Sequence, residues 1–264
     1  MAKLGCIGYG AMGSALLKGF VNAGILSKDI LVYDQSDIAR KKAVEQGFTK
    51  TETINELNGC DIILLAVKPQ HLTDVADIWH IDNKEVIVIS ILAGVTSQTI
   101  RKTLNVKKVI RVMPNLPAQI GKGVIAVNFS KGILDREREE VYELLSKSGE
   151  VYLLNEELFN AVTALSGSGP AFILLMLEAL SLGAVVEGLD SKVALEIATN
   201  TMIGTAEYLR SQKMHPAALR DLVTSPQGTT AAGLVVLEEE GVRAALVKAI
   251  KAATERARQL QEGK

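Results

Sequence analysis

The apolar run LGCI at residues 4–7 passes without a spacer into Gly8-Tyr9-Gly10-Ala11-Met12-Gly13, and a helical pattern begins inside that glycine motif. Strand, glycine turn and helix in that order leave few folds open. The first glycine permits a tight turn. The second lets backbone approach a diphosphate, and the third lets helix and strand pack closely. The helix N-terminus then offers unpaired N–H groups to phosphate oxygens. The motif predicts the first βα unit of a dinucleotide-binding sheet, with Gly8, Gly10, Ala11, Met12 and Gly13 on the cofactor. The plainer alternative is a tight strand–helix turn with no ligand.

Val- and Ile-rich runs recur at residues 30–33, 61–67, 86–91, 109–113, 124–127 and 151–154. Helical stretches such as 11–22 and 36–46 lie between the early ones. That alternation predicts a parallel, doubly wound sheet. The unbroken apolarity of DIILLAV and EVIVISI marks central strands covered on both faces. Past residue 155 the β-branched runs thin out and Ala, Leu and Glu dominate at helical spacing. Helices are expected over 170–187, 191–211, 216–223, 229–240 and 242–261. The fold class is therefore α/β. A Rossmann-like dinucleotide-binding domain spans residues 1–155, and an all-helical substrate-binding and dimerisation domain spans 156–264.

Residues 171–186 (AFILLMLEALSLGAVV) are apolar on every side of a helix. They fall short of the ~20 residues a membrane span needs, and they include Glu178. A soluble helix of this kind must be covered all round. A helical domain of roughly 100 residues struggles to do that alone. We expect a homodimer built on the helical domain. Cover by the N-terminal domain of the same chain is the alternative. The formal net charge of −1 gives no basic footprint for nucleic acid or an anionic membrane. Cys6 and Cys60 sit in apolar runs and read as reduced, buried thiols. The chain enters its first strand at once, so no leader is expected and the location is read as cytoplasmic.

Asp34 closes the second strand. An acidic residue there bonds the adenosine ribose hydroxyls and repels a 2′-phosphate, which argues for NADH. Gln35, Ser36 and Arg40 follow closely and could take a phosphate if Asp34 turned away, so the choice between NADPH and NADH stays open. A solvated strand-end carboxylate is the plainer alternative. Ala66-Val67-Lys68-Pro69 closes the third strand, at the sheet edge where open α/β folds bind ligands. Loops 90–94 and 113–117 share that edge, and the Asn115 carboxamide can both donate and accept, as a nicotinamide amide requires.

The stretch SPQGTT at 225–230 precedes a helical pattern. Gly228, Thr229 and Thr230 there offer N–H groups and hydroxyls to a small carboxylate. A plain helix cap is the alternative. Residues 166–191 contain no Lys, Arg or His. The chain has three histidines, His71, His80 and His215, and none joins an acid–base constellation. A C=N acceptor relaxes that need, because a protonated imine is already electrophilic. No group of His, Cys, Asp and Glu has metal-ligand spacing, so no metal is expected.

The chain resembles the pyrroline-5-carboxylate reductase family over essentially its whole length. The glycine loop, AVKPQ (66–70), SILAGV (90–95), RVMPNLPA (111–118), ALSGSGPAF (164–172) and VTSPQGTTAAGL (223–234) occur in family order. The last two are the specific ones. The resemblance implies reduction of 1-pyrroline-5-carboxylate to L-proline by NAD(P)H, the last step of proline biosynthesis. It places the cofactor on Gly8–Gly13, Ala66, Val67, Lys68, Pro69, Ala93 and Asn115. It places the substrate carboxylate on Ser225, Gly228, Thr229 and Thr230, with Thr230 as proton donor to the ring nitrogen. It also implies interlocked helical domains in a dimer, one chain's cofactor meeting the other's SPQGTT loop, and higher assemblies of dimers.

Two departures stand out: Gln227 where relatives often have glycine, and Asp34 where members commonly favour NADPH. A β-hydroxyacid dehydrogenase would need a lysine in the stretch that lacks one. Another cyclic-imine reductase and a non-catalytic dinucleotide sensor are the remaining alternatives.

Overall fold

The computed structural model describes residues 3–262, so the expected outer domain bounds at 1 and 264 lie outside the described residues. Its contacts divide the chain into two compact units. One comprises the residues up to Gly167 together with those from Ala253 on, and the other is Ser168–Ala252.

The first unit is built on eight strands: β1 (Leu4–Ile7), β2 (Ile30–Tyr33), β3 (Thr49–Lys50), β4 (Ile62–Leu65), β5 (Ile87–Ser90), β6 (Lys108–Met113), β7 (Gly123–Phe129) and β8 (Gly149–Leu153). Its helices are α1 (Ala11–Asn22), α2 (Asp37–Glu45), α3 (Leu72–Ile78), α4 (Ser97–Leu104), α5 (Asp135–Ser146) and the short α6 (Phe159–Val162). The strands lie in the order β3-β2-β1-β4-β5-β6-β7-β8. β3 through β6 in that row are parallel, as expected for a doubly wound sheet. The last pair departs from expectation: β7 runs antiparallel to β6, and β8 is parallel to β7. The reason is the connection. Residues 114–122 contain only the 3₁₀ turn Leu116–Ile120, too short for a crossover, so the chain reverses. α5 then supplies a crossover and restores parallel pairing. The two-residue edge strand β3 had no apolar run to announce it, and both its residues are exposed.

Successive side chains of the central strands go to opposite faces, and both faces are covered. Leu4, Cys6, Ile62, Leu64, Ile87 and Ile89 pack with Leu16, Leu17 and Phe20 of α1 and Val141, Leu144 and Leu145 of α5. Ile7, Ile63, Leu65 and Val88 pack on the other face with Leu72 and Val75 of α3 and Ile100 and Leu104 of α4. This burial on both sides removes polar positions from the strands and explains their unbroken apolarity.

The second unit is helical: α7 (Gly169–Val186), α8 (Ser191–Gln212), α9 (Pro216–Leu222), α10 (Thr229–Glu239) and most of α11 (Val242–Gln261). Pro170 and Pro216 occupy first-turn positions, and Asp190 caps α8 by accepting from the Lys192 and Val193 N–H groups. In a single chain this unit leaves its apolar surface open. Of α7 only Gly169 and Ser181 are buried, while Leu175 is 66% and Val186 76% exposed. By length and composition the stretch Glu156–Val186 also suffices to cross a membrane, its most apolar 18 residues having a mean hydropathy of 2.0. Its beginning, however, belongs to the sheet unit, where Phe159 and Ala164 are buried.

Candidate active site

The three motif glycines have three separate reasons. Gly8 continues the ladder, donating to the Tyr33 carbonyl at 2.8 Å, and turns the chain at φ +95°. A Cβ on it would lie 2.7 Å from the Ala66 carbonyl oxygen. A Cβ on Gly13 would lie 2.6 Å from the Gly8 carbonyl oxygen and 3.0 Å from the Ala66 Cβ, so this glycine sets the approach of α1 to the sheet. Gly10 is different. It is the N-cap of α1 in extended geometry, at φ −79°, and a Cβ there would meet nothing within 4 Å. Packing does not require a glycine at that position. The first intrahelical bond runs from Ser14 N–H to the Gly10 carbonyl. No side chain caps α1, and no acidic residue sits in its first turn. The free N–H groups there suit a diphosphate.

Beside this cradle a cavity of about 330 Å³ lies over the end of β1. Its lining includes Gly8, Gly10, Asp34 and Ser36 on one side and Val67, Lys68 and His71 on the other. Val75 and Ile78 of α3 give it an apolar wall. Asp34 is fixed there by two main-chain donors: the Tyr9 N–H at 2.7 Å and the Ser36 N–H at 2.8 Å. Tyr9 ties the glycine loop down further. Its hydroxyl donates to Gln46 Oε1 at 2.7 Å, its ring meets Phe48 edge-on, and burial pushes its phenol up to about 12. The cavity has the size and the mix of an apolar wall with a few polar groups that an adenosine site needs.

In the second unit, residues 225–228 form a turn closed by Gly228 N–H to the Ser225 carbonyl at 3.1 Å. Pro226 sits second and Gln227 third, at φ +60°. Gly228 caps α10, and a Cβ on it would lie within 3.0 Å of the Ser225 Oγ. α10 has neither a side-chain cap nor an acidic first turn. Thr229 and Thr230 therefore bring hydroxyls to a helix end whose N–H groups are free for an anion. The left-handed Gln227 costs about 1 kcal/mol relative to glycine. Gln227→Gly is expected to keep turnover and change stability by under ~1 kcal/mol, because relief of strain opposes added freedom in the unfolded chain. Gln227→Val is expected to lower the unfolding free energy by about 1–2 kcal/mol. Chemical denaturation of the three proteins checks this.

Comparison with known proteins decides the family. Residues 156–260 match the family described as pyrroline-5-carboxylate reductase dimerisation, and residues 3–94 match that described as NADP oxidoreductase, coenzyme F420-dependent. The pyrroline-5-carboxylate reductase of Methanosarcina acetivorans is 39% identical over 266 residues, covering 98% of this chain and 97% of that protein. The chain belongs to the pyrroline-5-carboxylate reductase family. Among solved structures, the 1-pyrroline-5-carboxylate reductase of Streptococcus pyogenes superposes with a TM-score of 0.89 at 30% identity, and the pyrroline carboxylate reductase of Plasmodium falciparum, with NADP bound, at 0.87 and 28%. Each covers 98% of both chains.

Within this reductase fold, the cavity gathers Gly8, Gly10, Asp34, Ala66, Val67 and Lys68. Ala11, Met12 and Gly13 form the adjoining first turn of α1, and Pro69 opens the 3₁₀ turn after β4. Ala93 is exposed on the loop after β5, where Gly94 packs against the C-terminal end of α11. Asn115 is buried and already engaged. Its Nδ2 donates to the Ser166 carbonyl at 3.0 Å, and its Oδ1 accepts the Val124 N–H at 2.8 Å. It holds a π-helical turn, Thr163–Gly167, within the ALSGSGPAF motif. Asn115→Ala would strand both backbone groups in a buried site, at a cost of about 3 kcal/mol. A lowered denaturation midpoint is the expected result.

Sequence reasoning passed over three groups here. Tyr9 anchors Asp34 by its main chain, which no side-chain pattern signals. Val75 and Ile78 were legible as an i, i+3 pair behind His71. Buried Arg111 bonds Glu156 at 3.1 Å under the Phe159 ring, and Glu156 also accepts from Ser97 N–H and Oγ. Among the described residues no group of three or more His, Cys, Asp and Glu side chains is placed to hold a metal ion.

Proposed function

We propose that this chain reduces 1-pyrroline-5-carboxylate to L-proline with NAD(P)H, the last step of proline biosynthesis. The observation that carries the reading is the full-length identity to pyrroline-5-carboxylate reductases, which spans both the glycine loop and SPQGTT. The local geometry supports it. The open space at Gly10 and the uncapped start of α1 fit a dinucleotide diphosphate. The uncapped start of α10 fits a small carboxylate.

When bound, the dihydronicotinamide supplies the hydride. The chain's own groups bind, orient and handle the proton. Gly8, Gly10, Ala11, Met12 and Gly13 take the diphosphate, and Ala66, Val67, Lys68 and Pro69 flank the adenosine side. Ala93 belongs to the loop facing the nicotinamide half, and Asn115 acts by holding the π-turn in place. Ser225, Gly228, Thr229 and Thr230 hold the substrate carboxylate, fixing the ring. The Thr230 hydroxyl donates to the ring nitrogen and passes it a proton as the C=N double bond becomes a C–N single bond, and solvent returns a proton to the hydroxyl. An imine acceptor needs no stronger acid than this, consistent with the absence of Lys, Arg and His from residues 166–191.

The working unit of this reading is a homodimer through the helical region, 156–264, in a chain whose residues 1–155 make up the dinucleotide-binding region. The uncovered apolar surface of α7 supports it, as does the dimerisation-family match. A cytoplasmic location accompanies it, since Cys6 and Cys60 are free, buried thiols. The test is loss of nicotinamide absorbance in the presence of 1-pyrroline-5-carboxylate, with proline measured as product. Turnover with either nucleotide supports the reading. Tight dinucleotide binding without turnover of this imine would shift it to another cyclic imine or to a sensor.

A further inference from the structure

The two reduced nicotinamide dinucleotides differ at the adenosine 2′ position, a hydroxyl in one and a phosphate in the other. In this chain the groups at the end of β2 answer to the hydroxyl. The Tyr9 and Ser36 N–H groups each take one lone pair, on Asp34 Oδ2 and Oδ1 respectively. A carboxylate has about four acceptor positions, so each oxygen keeps one for another donor. A ribose diol is a pair of donors. A 2′-phosphate only accepts, and it would meet a fixed like charge that the main chain holds in place.

The cation that a 2′-phosphate needs is Arg40, and it is turned away. Its Nη1 donates to the Asp34 main-chain carbonyl at 2.6 Å and its Nη2 to Asp37 Oδ1 at 3.1 Å. Its side chain is only 16% exposed and does not line the cavity. Lys41 is drawn to the same carboxylate, at 3.3 Å. Lys41 and Arg40 together hold the Asp37 carboxyl below its usual range. On the β4 side the cavity has Lys68 and His71, and His71 Nδ1 is paired with Asp74 at 2.7 Å.

We infer that this chain selects NADH over NADPH, with Asp34 reading the ribose diol and Asp37 withholding Arg40 from a 2′-phosphate. The inference rests on the dinucleotide reading of this cavity and not on the identity of the substrate. It sets the chain apart from the Plasmodium relative, whose structure holds NADP.

The test is calorimetric titration of the substrate-free protein with NADH and NADPH, and with ADP-ribose and 2′-phospho-ADP-ribose as redox-silent probes. NADH should bind about tenfold or more tightly than NADPH, the scale of one like-charge contact, and the fragments should follow their parents. Asp37 is exposed at the first position of α2, and Ser36 already caps that helix, so Asp37→Ser keeps the fold. This variant should narrow the ratio about threefold or more by tightening NADPH. Asp34→Ser should weaken NADH by about tenfold. Equal or tighter NADPH binding by the unaltered protein overturns the inference, as does an Asp37→Ser ratio that does not move. Since no substrate is present, failure to reduce pyrroline-5-carboxylate would count against the reaction alone. Failure to bind either nucleotide would remove both readings.

Discussion

Gly10→Ala is expected to leave the protein as stable as before and nearly unable to hold a dinucleotide. The added methyl meets no protein atom within 4 Å, and φ −79° suits alanine. Removing a glycine's unfolded-state freedom even adds about 0.4–1 kcal/mol of stability. On the proposed reading the methyl would occupy the space through which a diphosphate reaches the start of α1. Losing one or two charge-assisted hydrogen bonds there costs about 3 kcal/mol, or roughly a hundredfold in affinity. Gly13→Ala should behave in the opposite way. Its Cβ would lie 2.6 Å from the Gly8 carbonyl, so α1 must shift and the fold itself suffers. Thermal denaturation paired with NADH and NADPH titration separates the two. Equal loss of stability in both variants would mean that the motif is only a turn.

Thr230→Val should lower kcat by about 10²–10³-fold, within the range for removing a positioned proton donor. Valine keeps the shape and removes only the hydroxyl, in the first turn of a helix whose N-cap is Gly228. Dinucleotide affinity should hold, because the cradle lies in the sheet unit. If the hydroxyl instead only orients the carboxylate, KM rises and kcat changes little. Steady-state kinetics with varied imine distinguishes the two outcomes, and near-normal values for both constants would take Thr230 out of the chemistry.

The fold was legible wherever a local pattern forces it. Val- and Ile-rich runs buried on both faces became β1, β4 and β5, and the helical spacing of Ala, Leu and Glu placed α7, α8 and α9 within a residue or two. The reversal at β7 went unread although its cause was in the sequence: residues 114–122 carry Pro114 and Pro117 and are too few for a crossover. The turns at the glycine motif and at SPQGTT were legible, and both open onto helix starts without a side-chain cap. What the sequence left hidden is main-chain recognition. Asp34 looks like a free strand-end carboxylate until the Tyr9 and Ser36 N–H groups are seen to hold it. Asn115 offered a carboxamide suited to nicotinamide, yet both its ends serve Ser166 and Val124. Long-range pairings of this kind have no spacing rule.

The central claim is direct hydride delivery to the imine carbon. The most direct measurement is the isotopic content of proline formed from 1-pyrroline-5-carboxylate and reduced nicotinamide dinucleotide fully deuterated at C4. The account predicts proline with one deuterium, at the ring carbon next to nitrogen that was the C=N carbon. Proline without deuterium, or no proline from protein that binds the dinucleotide, would contradict it.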